Sequence, residues 1–291
     1  MWPARGVPYF SPSSANADPR SLYEKLRGAK KDKTDTPPHQ GRWTTIGTAI
    51  GDAMQRSLLF AEKHMSGGRF RFERNALGEP MYEDFAKVNR MLTHNGKTFS
   101  LFGTGDGIMT YVSKDGEQLR VGLEIKSKQT TSAQTSEFSQ RNGPKEDHVA
   151  QTVCYSLMYS EDGRPLDYYV ILYVNASKKA WEMTPEDYAK NPDIAVHCVK
   201  ITDAMRNAVL DRFAAIVTAA ELSEAPALDV GKWTFNNFKT ACATGLSDEE
   251  VTQIERQVAA VQRSGLKDFV KRQYSDALAD IKALRGGVAA A

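Results

Sequence analysis

Three residues in the middle of the chain have types and a spacing that would let them do chemistry together. Asp106 stands between two glycines, and Ile125 separates Glu124 from Lys126 in a strand-like segment. Alternate side chains of a strand face the same way, so Glu124 and Lys126 project together while Ile125 faces the core. A hairpin between this segment and the one beside Asp106 would bring both carboxylates to one edge of a sheet.

The chemistry of such a cluster is that of a divalent cation. Two carboxylates and the main-chain carbonyl of Ile125 make an oxygen-only site suited to Mg²⁺ or Mn²⁺. A lysine beside that metal helps to orient a water and stabilises the charge that builds on a phosphate. A turn aspartate and an edge strand with exposed charges would give the same pattern, and an isolated Glu-x-Lys is common.

A helix that follows a long polar segment supplies further polar side chains. His148, Gln151 and Tyr155 stand at i, i+3 and i+7, on one edge of an otherwise apolar helix. A boundary stripe between core and solvent would have the same spacing. The functional interpretation places Gln151 and Tyr155 beside the metal site, where they order the lysine and a phosphate.

Hydrophobic periodicity predicts the elements that position these residues. Strands are predicted at RFRFER, at TFSLFGTGDGIMTYVS and QLRVGLEIKSK joined by the hairpin signal KDGE, at DYYVILYVN, and as shorter strands at KAWEM and AVHCVKI. Helices are predicted at SLYEKLRGAKK, TIGTAIGDAMQRSLLFAEKH, MYEDFAKVNRML, HVAQTVCYSLMYS and DAMRNAVLDRFAAIVTAAE.

These elements predict an α/β protein with a central mixed sheet flanked by helices. Residues 1–225 would form this core with its N-terminal helical part, and residues 226–291 a C-terminal helical extension. Within the extension, residues 247–286 are predicted to be helical. The capping box from Ser247 to Glu250 opens the first helix, and Gly265 separates it from the second.

The amino-acid composition excludes several classes of protein. The hydrophobic fraction of 41% and charged fraction of 25% are those of an ordinary globular protein, and the net charge is only +2. Any nucleic-acid binding must therefore come from a local basic surface. Neither a secretory h-region nor a long apolar span is evident, so no membrane is expected. Three cysteines more than 40 residues apart suit a reduced, cytoplasmic protein.

The motifs G-x-x-D-G-Ile, Leu-Glu-Ile-Lys and Gln-x-x-x-Tyr together resemble the RecB-type and lambda-exonuclease-type branch of the PD-(D/E)XK nuclease superfamily, which includes phage enzymes. The resemblance covers about residues 9–245, with strong motifs only across 103–159. It implies a restriction-endonuclease-like core, metal ligands at Asp106, Glu124 and Ile125, and a catalytic Lys126. The supporting pair would be Gln151 and Tyr155, and Gly105 stands where the family has proline.

Further positions are carried over from the same resemblance. Glu73 matches a carboxylate that completes the metal site in lambda-type enzymes, although a surface strand glutamate would look the same. Gly51 stands where many relatives have a metal-binding histidine. The adjacent Asp52 could substitute for that histidine, or it could be a solvated helix residue.

Many RecB-type relatives hold an iron–sulfur cluster on four cysteines. Here Asp18, Phe235 and Phe238 occupy positions of such ligands, and Cys242 remains nearby. We therefore predict that the chain has no iron–sulfur cluster and that apolar packing replaces its stapling role.

The combined expectation is a Mg²⁺- or Mn²⁺-dependent DNA nuclease, specifically an exonuclease of recombination or DNA processing, in the host cytoplasm if phage-encoded. DNA contacts are expected from Lys128, Arg141, Lys145 and His148 around the polar segment, which a merely solvated loop would also explain. A homo-oligomer or a recombination partner protein would fit. Two alternatives stay open: a structure-specific or restriction-like endonuclease, and a non-catalytic DNA-binding or assembly protein.

Overall fold

A mixed β-sheet carries the segment with Glu124 and Lys126 at its centre. The computed structural model describes residues 2–33 and 36–289. Its strands are β1 (Tyr9–Phe10), β2 (Phe70–Phe72), β3 (Val88–His94), β4 (Lys97–Gly103), β5 (Gly107–Val112), β6 (Gln118–Lys128), β7 (Tyr168–Asn175) and β8 (Ile194–Lys200). One sheet has the order β2-β5-β6-β7-β8, and a smaller one has the order β1-β4-β3. In the larger sheet β6 and β7 are parallel, whereas the other neighbours are antiparallel.

Helices flank the larger sheet and follow it. They are α1 (Pro19–Leu26), α2 (Pro38–His64), α3 (Glu137–Gln140), α4 (Glu146–Tyr159), α5 (Pro185–Lys190), α6 (Asp203–Leu222), α7 (Lys239–Thr244), α8 (Asp248–Arg263) and α9 (Asp268–Ala289). The predicted α/β architecture with C-terminal helices is thus confirmed. In the part of the chain that the structure describes, none of these helices is both long enough and apolar enough to cross a membrane.

The alternation of β6 assigns its side chains to two different faces. Leu123 and Ile125 belong to an apolar cluster against which Met54 and Leu58 of α2 pack. The intervening Glu124 faces the other side of the sheet, where α4 lies. The apolar side chains of β6 therefore pack against α2, whereas Glu124 and Lys126 face α4.

The chain divides into two compact units that are both discontinuous in sequence. The first comprises Met1–Ala15, Thr36–Leu92 and Ser100–Leu210, and the second Asn16–Asp35, Thr93–Phe99 and Asp211–Ala291. The second unit has its own apolar core, formed by Val230, Trp233, Cys242, Ala243, Leu246, Ile254, Val258, Ala277 and Ile281. The predicted division into residues 1–225 and 226–291 stays a prediction.

Most of the predicted elements are confirmed, including the capping box that opens α8. Three predictions were wrong. The segment MYEDFAKVNRML is not a helix, because its second half is β3. The two-residue turn Asn95–Gly96, with φ of 48° and 72°, joins β3 to β4, and positive φ at both residues is the geometry of a type I′ hairpin.

The second error concerns TFSLFGTGDGIMTYVS, which forms two strands in different sheets and not one. The chain leaves β4 at Gly103 and enters β5 at Gly107, so the bend between them places Asp106 at the start of a new strand. The third is KAWEM, where Ala180–Glu182 forms a 3₁₀ turn. The polar segment after β6 also contains short helical turns at Ser132–Thr135 and α3.

A missing side chain in β6 lets an aromatic ring cover the sheet. Gly122 is paired with Tyr169 of β7, and a Cβ added at Gly122 would lie 2.1–2.4 Å from atoms of the Tyr169 ring. That ring is fully buried and stacks on Tyr155 of α4, with centroids 6.2 Å apart and planes inclined by 22°. The glycine thus makes room for the contact between the sheet and α4.

We expect Gly122→Ala to lower the free energy of unfolding by about 1–3 kcal/mol, because overpacking forces the rings of Tyr169 and Tyr155 to shift. Urea denaturation of the two proteins measures the change. Gly41→Ala is the control, since a Cβ there has open space in α2, and should stabilise by about 0.5–1 kcal/mol. Unchanged stability of Gly122→Ala would contradict the tight packing of this ring.

Candidate active site

The hairpin of β5 and β6 brings the two predicted carboxylates side by side. Its register pairs Gly107 with Leu123, so the next pair outward is Asp106 with Glu124. The Asp106 carboxylate accepts a hydrogen bond from the backbone N–H of Ile125 at 2.5 Å. Because the N–H and C=O of one strand residue point to the same side, the Ile125 carbonyl also faces the edge where Asp106 lies.

Lys126 is held in place by two acceptors. Its ammonium lies 2.5 Å from Glu124 Oε1 and donates to Gln151 Oε1 at 2.9 Å. Gln151 Nε2 in turn donates to the Tyr155 hydroxyl at 3.0 Å. These contacts engage two of the three donors of the lysine, which leaves one for a water or a phosphate oxygen. The structure thus brings the predicted Lys126, Gln151 and Tyr155 together with Glu124.

The single ammonium of Lys126 only partly offsets the charge of the carboxylate pair. Loss of hydration raises the pKa of Asp106 well above its usual range, and the neighbouring Glu124 raises it further. Burial also raises the pKa of Glu124, although Lys126 opposes that rise. Like charges in a weakly hydrated place disfavour ionisation of both groups. A cation between them would remove this cost.

An unpaired oxygen gives a second indication that the site suits a metal. Glu124 is 2% exposed, and its Oε2 has no hydrogen-bond partner among the described residues. A buried carboxylate oxygen without a partner is costly, so a native structure that keeps one needs an explanation. Oxygen donors from Asp106, Glu124 and the Ile125 carbonyl match the preference of Mg²⁺ and Mn²⁺.

Protein side chains alone do not enclose a metal here. Among the described residues, no three His, Cys, Asp or Glu side chains form a group that could hold a metal ion. A donor set of two carboxylates and a carbonyl would suit Mg²⁺, because that ion usually keeps several waters.

A third carboxylate, which the sequence did not reveal, acts on this pair. Glu83 raises the pKa of both Asp106 and Glu124. The buried Gln55 of α2 holds it in two ways: Gln55 Nε2 donates to its carboxylate at 3.4 Å, and Gln55 Oε1 accepts from its backbone N–H at 3.2 Å. The signal available in the sequence was a glutamine on the buried side of a helix. Glu83 itself lay in a segment predicted to be helical.

A cleft of about 400 Å³ opens onto Asp106 between α2 and β6. Its lining comprises Trp43, Thr44, Gly47, Thr48 and Gly51 from α2, together with Glu83, Asp106, Ile125, Ser127 and Gln129. Gly51, which the sequence resemblance aligns with a histidine, thus faces the site, and a Cβ there would have open space. The adjacent Asp52 is exposed to solvent and is not part of this lining.

Glu73 is placed elsewhere. Its carboxylate accepts two hydrogen bonds from Arg120, at 2.7 and 2.9 Å, and one from Arg164 at 2.9 Å. Two guanidinium groups neutralise it, so the structure brings Glu73 into an ion-pair cluster and not to Asp106. Its role as a metal ligand stays a prediction.

The predicted nucleic-acid contacts fall into two groups. Lys128 lies over the ring of Tyr173 on β7, and the Tyr173 hydroxyl contacts the backbone of Lys145 and the imidazole of His148. Arg141 lies apart, with its guanidinium 3.8 Å from the centre of the Phe138 ring. The structure therefore clusters three of the four residues.

The positions that resemble iron–sulfur ligands lie in the second unit. Asp18 is 2% exposed and accepts hydrogen bonds from the backbone N–H groups of Arg20, Ser21 and Asp229. Phe235, by contrast, is 86% exposed. The predicted replacement by apolar packing is therefore incomplete, because hydrogen bonds to Asp18 join chain segments that are distant in sequence. The absence of a cluster stays a prediction, which the iron content of anaerobically purified protein would test.

Comparisons with known proteins give structural likeness only. No protein-family model and no curated protein matches the chain. The crystal structure of the protein SSO0001 is 12% identical, with a TM-score of 0.47 over 84% of this chain and 91% of that one. An alkaline exonuclease from Laribacter hongkongensis is 12% identical, with a TM-score of 0.43 over 75% and 90%. A phage-related exonuclease from Haemophilus somnus 129PT is 12% identical, with a TM-score of 0.38 over 72% and 81%.

Removal of the Asp106 charge should stabilise the metal-free protein at neutral and alkaline pH. The folded-state pKa of Asp106 is raised, so its contribution to stability is complete below the unfolded pKa and is lost as pH rises through the folded pKa. In a chelator, we expect Asp106→Asn to unfold at a higher temperature than the parent at roughly pH 8, with the difference shrinking toward roughly pH 4.

Thermal unfolding followed by circular dichroism provides this comparison, with Asp115→Asn in the exposed β5–β6 turn as the control. Divalent metal should then raise the unfolding temperature of the parent more than that of Asp106→Asn. If the parent and Asp106→Asn share one pH dependence, the Asp106 carboxyl is not the desolvated group described above.

Proposed function

We propose that this chain is a divalent-metal-dependent nuclease that hydrolyses phosphodiester bonds in DNA, acting from strand ends. The observation that carries the proposal is the arrangement of Lys126, held between Glu124 and Gln151 beside the desolvated Asp106. A lysine with a purely structural role would need only one acceptor. Here it lies beside two carboxylates whose pKa values are raised by burial and by neighbouring charge. The motif resemblance in the sequence supports the same chemistry.

Each residue would have a distinct role in the hydrolysis. Asp106, Glu124 and the Ile125 carbonyl would hold Mg²⁺ or Mn²⁺, which supplies positive charge at the scissile phosphate when bound. The remaining donor of Lys126 would orient the attacking water or neutralise charge that develops on the phosphate. Gln151 would act as a positioning residue, because it holds Lys126 through one end of its amide and Tyr155 through the other.

The dimensions and lining of the cleft support a strand end as the substrate. A volume of about 400 Å³ is within the range of pockets that hold small ligands. Trp43 on its rim is 48% exposed, and exposed aromatic rings stack nucleobases without regard to sequence. We infer that one strand enters by its end, with sequence-independent contacts. Recombination or DNA processing, with a partner protein or a second copy, remains the wider expectation.

Cleavage assays with Mg²⁺ test the function directly. We expect linear DNA to be degraded, and Glu124→Ala and Asp106→Ala to lose about 100-fold or more in rate while remaining folded. Asp115→Ala is the matched control, because it removes an exposed carboxylate of the same hairpin. Undiminished activity in both site variants would refute the assignment. Equal cleavage of covalently closed circles and linear DNA would refute the requirement for an end and favour the endonuclease.

A paired substitution identifies the carboxylate that assists the metal site. We expect Glu83→Gln to weaken Mn²⁺ binding by about 10-fold, because Glu83 adds negative charge beside Asp106 and Glu124. Glu73→Gln should leave Mn²⁺ binding unchanged and lower stability by about 1–3 kcal/mol, because it leaves Arg120 incompletely paired. Electron paramagnetic resonance titration of Mn²⁺ and urea denaturation separate the two effects. The reverse pattern would assign the metal role to Glu73.

A further inference from the structure

A cluster of basic groups surrounds Tyr173, on the same face of the sheet as Lys126. The ammonium of Lys128 lies 3.9 Å from the centre of the Tyr173 ring. The Tyr173 hydroxyl accepts a hydrogen bond from the backbone N–H of Lys145 at 2.9 Å, and it lies 2.8 Å from Nδ1 of His148. Lys128, Lys145, His148 and Tyr173 are called the Tyr173 cluster below.

Lys128 is buried without the partners that a structural lysine has. It is 8% exposed, and among the described residues no hydrogen-bond acceptor faces its ammonium. Lys178 in the same unit is equally buried, at 7%, yet its ammonium donates to the carbonyls of Asn191 and Pro192 at 2.8 and 2.9 Å. A buried ammonium normally has such acceptors. The contrast leaves the donors of the Lys128 ammonium available to water or to a bound molecule.

The charges around Lys128 indicate that a molecule bound beside it would carry negative charge. Burial, together with the nearby charges of Lys145 and Lys126, lowers the pKa of Lys128 to about 8. Burial also lowers the pKa of His148 to about 3, with contributions from the same three lysines, and Asp147 opposes this only weakly. Lys128 likewise lowers the pKa of His197. This excess of positive charge would be offset by an anion.

The hydrogen bonds of the Tyr173 hydroxyl determine which nitrogen of His148 can donate a hydrogen bond to such an anion. The hydroxyl accepts from Lys145 N–H, so its own proton is free to donate to Nδ1 of the neutral His148. The proton of that imidazole then resides on Nε2, which becomes a donor. The Lys128 ammonium and the imidazole of His148 thus adjoin Tyr173, and the charge of Lys145 acts on both. This combination suits an anion with several oxygen atoms.

We propose that Lys128, Lys145 and His148, organised by Tyr173, form a binding subsite for a phosphate group next to Lys126. The assignment of this phosphate to a nucleic-acid strand rests on the proposed function, whereas the subsite itself rests on the cluster. Lys126 and Lys128 alternate with Ser127 on β6, so both face α4, where Lys145 and His148 lie. Arg141 is not part of the subsite, because it contacts Phe138.

Inorganic phosphate is the first probe, used with the full chain in a chelator so that no metal contributes. Isothermal titration calorimetry gives the affinity, and the imidazole nitrogen resonances of His148 report whether phosphate reaches the Tyr173 cluster. We expect Lys128→Met to weaken phosphate binding at least tenfold. Lys114→Met, which removes an exposed lysine from the β5–β6 turn, should bind phosphate as the parent does.

Stability controls keep this test decisive. Replacement of a buried lysine that is repelled by two others should leave Lys128→Met at least as stable as the parent. If that variant fails to fold, Lys145→Met tests the same subsite from an exposed position and should also weaken phosphate binding. Phosphate binding that is unchanged in the folded variants, or resonances of His148 that do not respond to phosphate, would overturn the proposal.

Short single-stranded DNA then identifies which phosphate is held. Oligonucleotides with a phosphorylated or an unphosphorylated 5′ end are compared for binding to the Glu124→Ala protein and its Lys128→Met derivative. Loss of a preference for the phosphorylated end assigns the subsite to a terminal phosphate. Equal weakening for both ends assigns it to an internal phosphodiester. If inorganic phosphate binds but DNA is not cleaved by the parent, the subsite stands and the proposed nuclease function fails.

Discussion

Two carboxylates are forced together at the edge of a sheet where water is scarce, and the surrounding structure offsets the cost of this arrangement. Asp106 and Glu124 are adjacent because the β5–β6 hairpin pairs Gly107 with Leu123. Desolvation disfavours the charged form of each, and each suffers from a neighbouring negative charge. The Ile125 N–H and the Lys126 ammonium offset part of this cost. The remainder is what a divalent cation would relieve.

The position of Lys126 depends on a chain of contacts that begins at Gly122 on the same strand. Gly122 lacks a side chain, so the ring of Tyr169 lies over it and stacks on Tyr155. The Tyr155 hydroxyl accepts from Gln151, and Gln151 accepts from Lys126. Each member is buried or nearly so, and close packing leaves little room for adjustment. A single glycine therefore influences the direction of the ammonium.

The second unit shows how a polar network can join segments that are distant in the chain. The carboxylate of Asp18 accepts hydrogen bonds from backbone N–H groups of α1 and from the backbone N–H of Asp229. The buried Arg20 donates to the carbonyls of Pro226 and Gly245 and forms an ion pair with Glu250. Because both residues are nearly inaccessible to water, the loss of one partner would leave several groups unsatisfied.

Local patterns in the sequence were sufficient for the catalytic strand and its supporting helix. The alternation around Ile125 determined which residues share a face, because the period of a strand is two. The hairpin signal before β6 predicted that Asp106 would meet Glu124. The spacing of Gln151 and Tyr155 placed both on one edge of α4, because the period of a helix brings i and i+4 together. These inferences needed only short-range geometry.

Only the tertiary structure decided which distant residues face this strand. Glu83 acts on the carboxylate pair through its charge and is held by Gln55 of α2, whereas Glu73 is paired with Arg120. Lys128 is buried against Tyr173 because β7 lies parallel to β6. The sequence does not determine this pairing, since a long connection separates the two strands. Periodicity gives the face on which a side chain lies, and the order of the strands decides what that face meets.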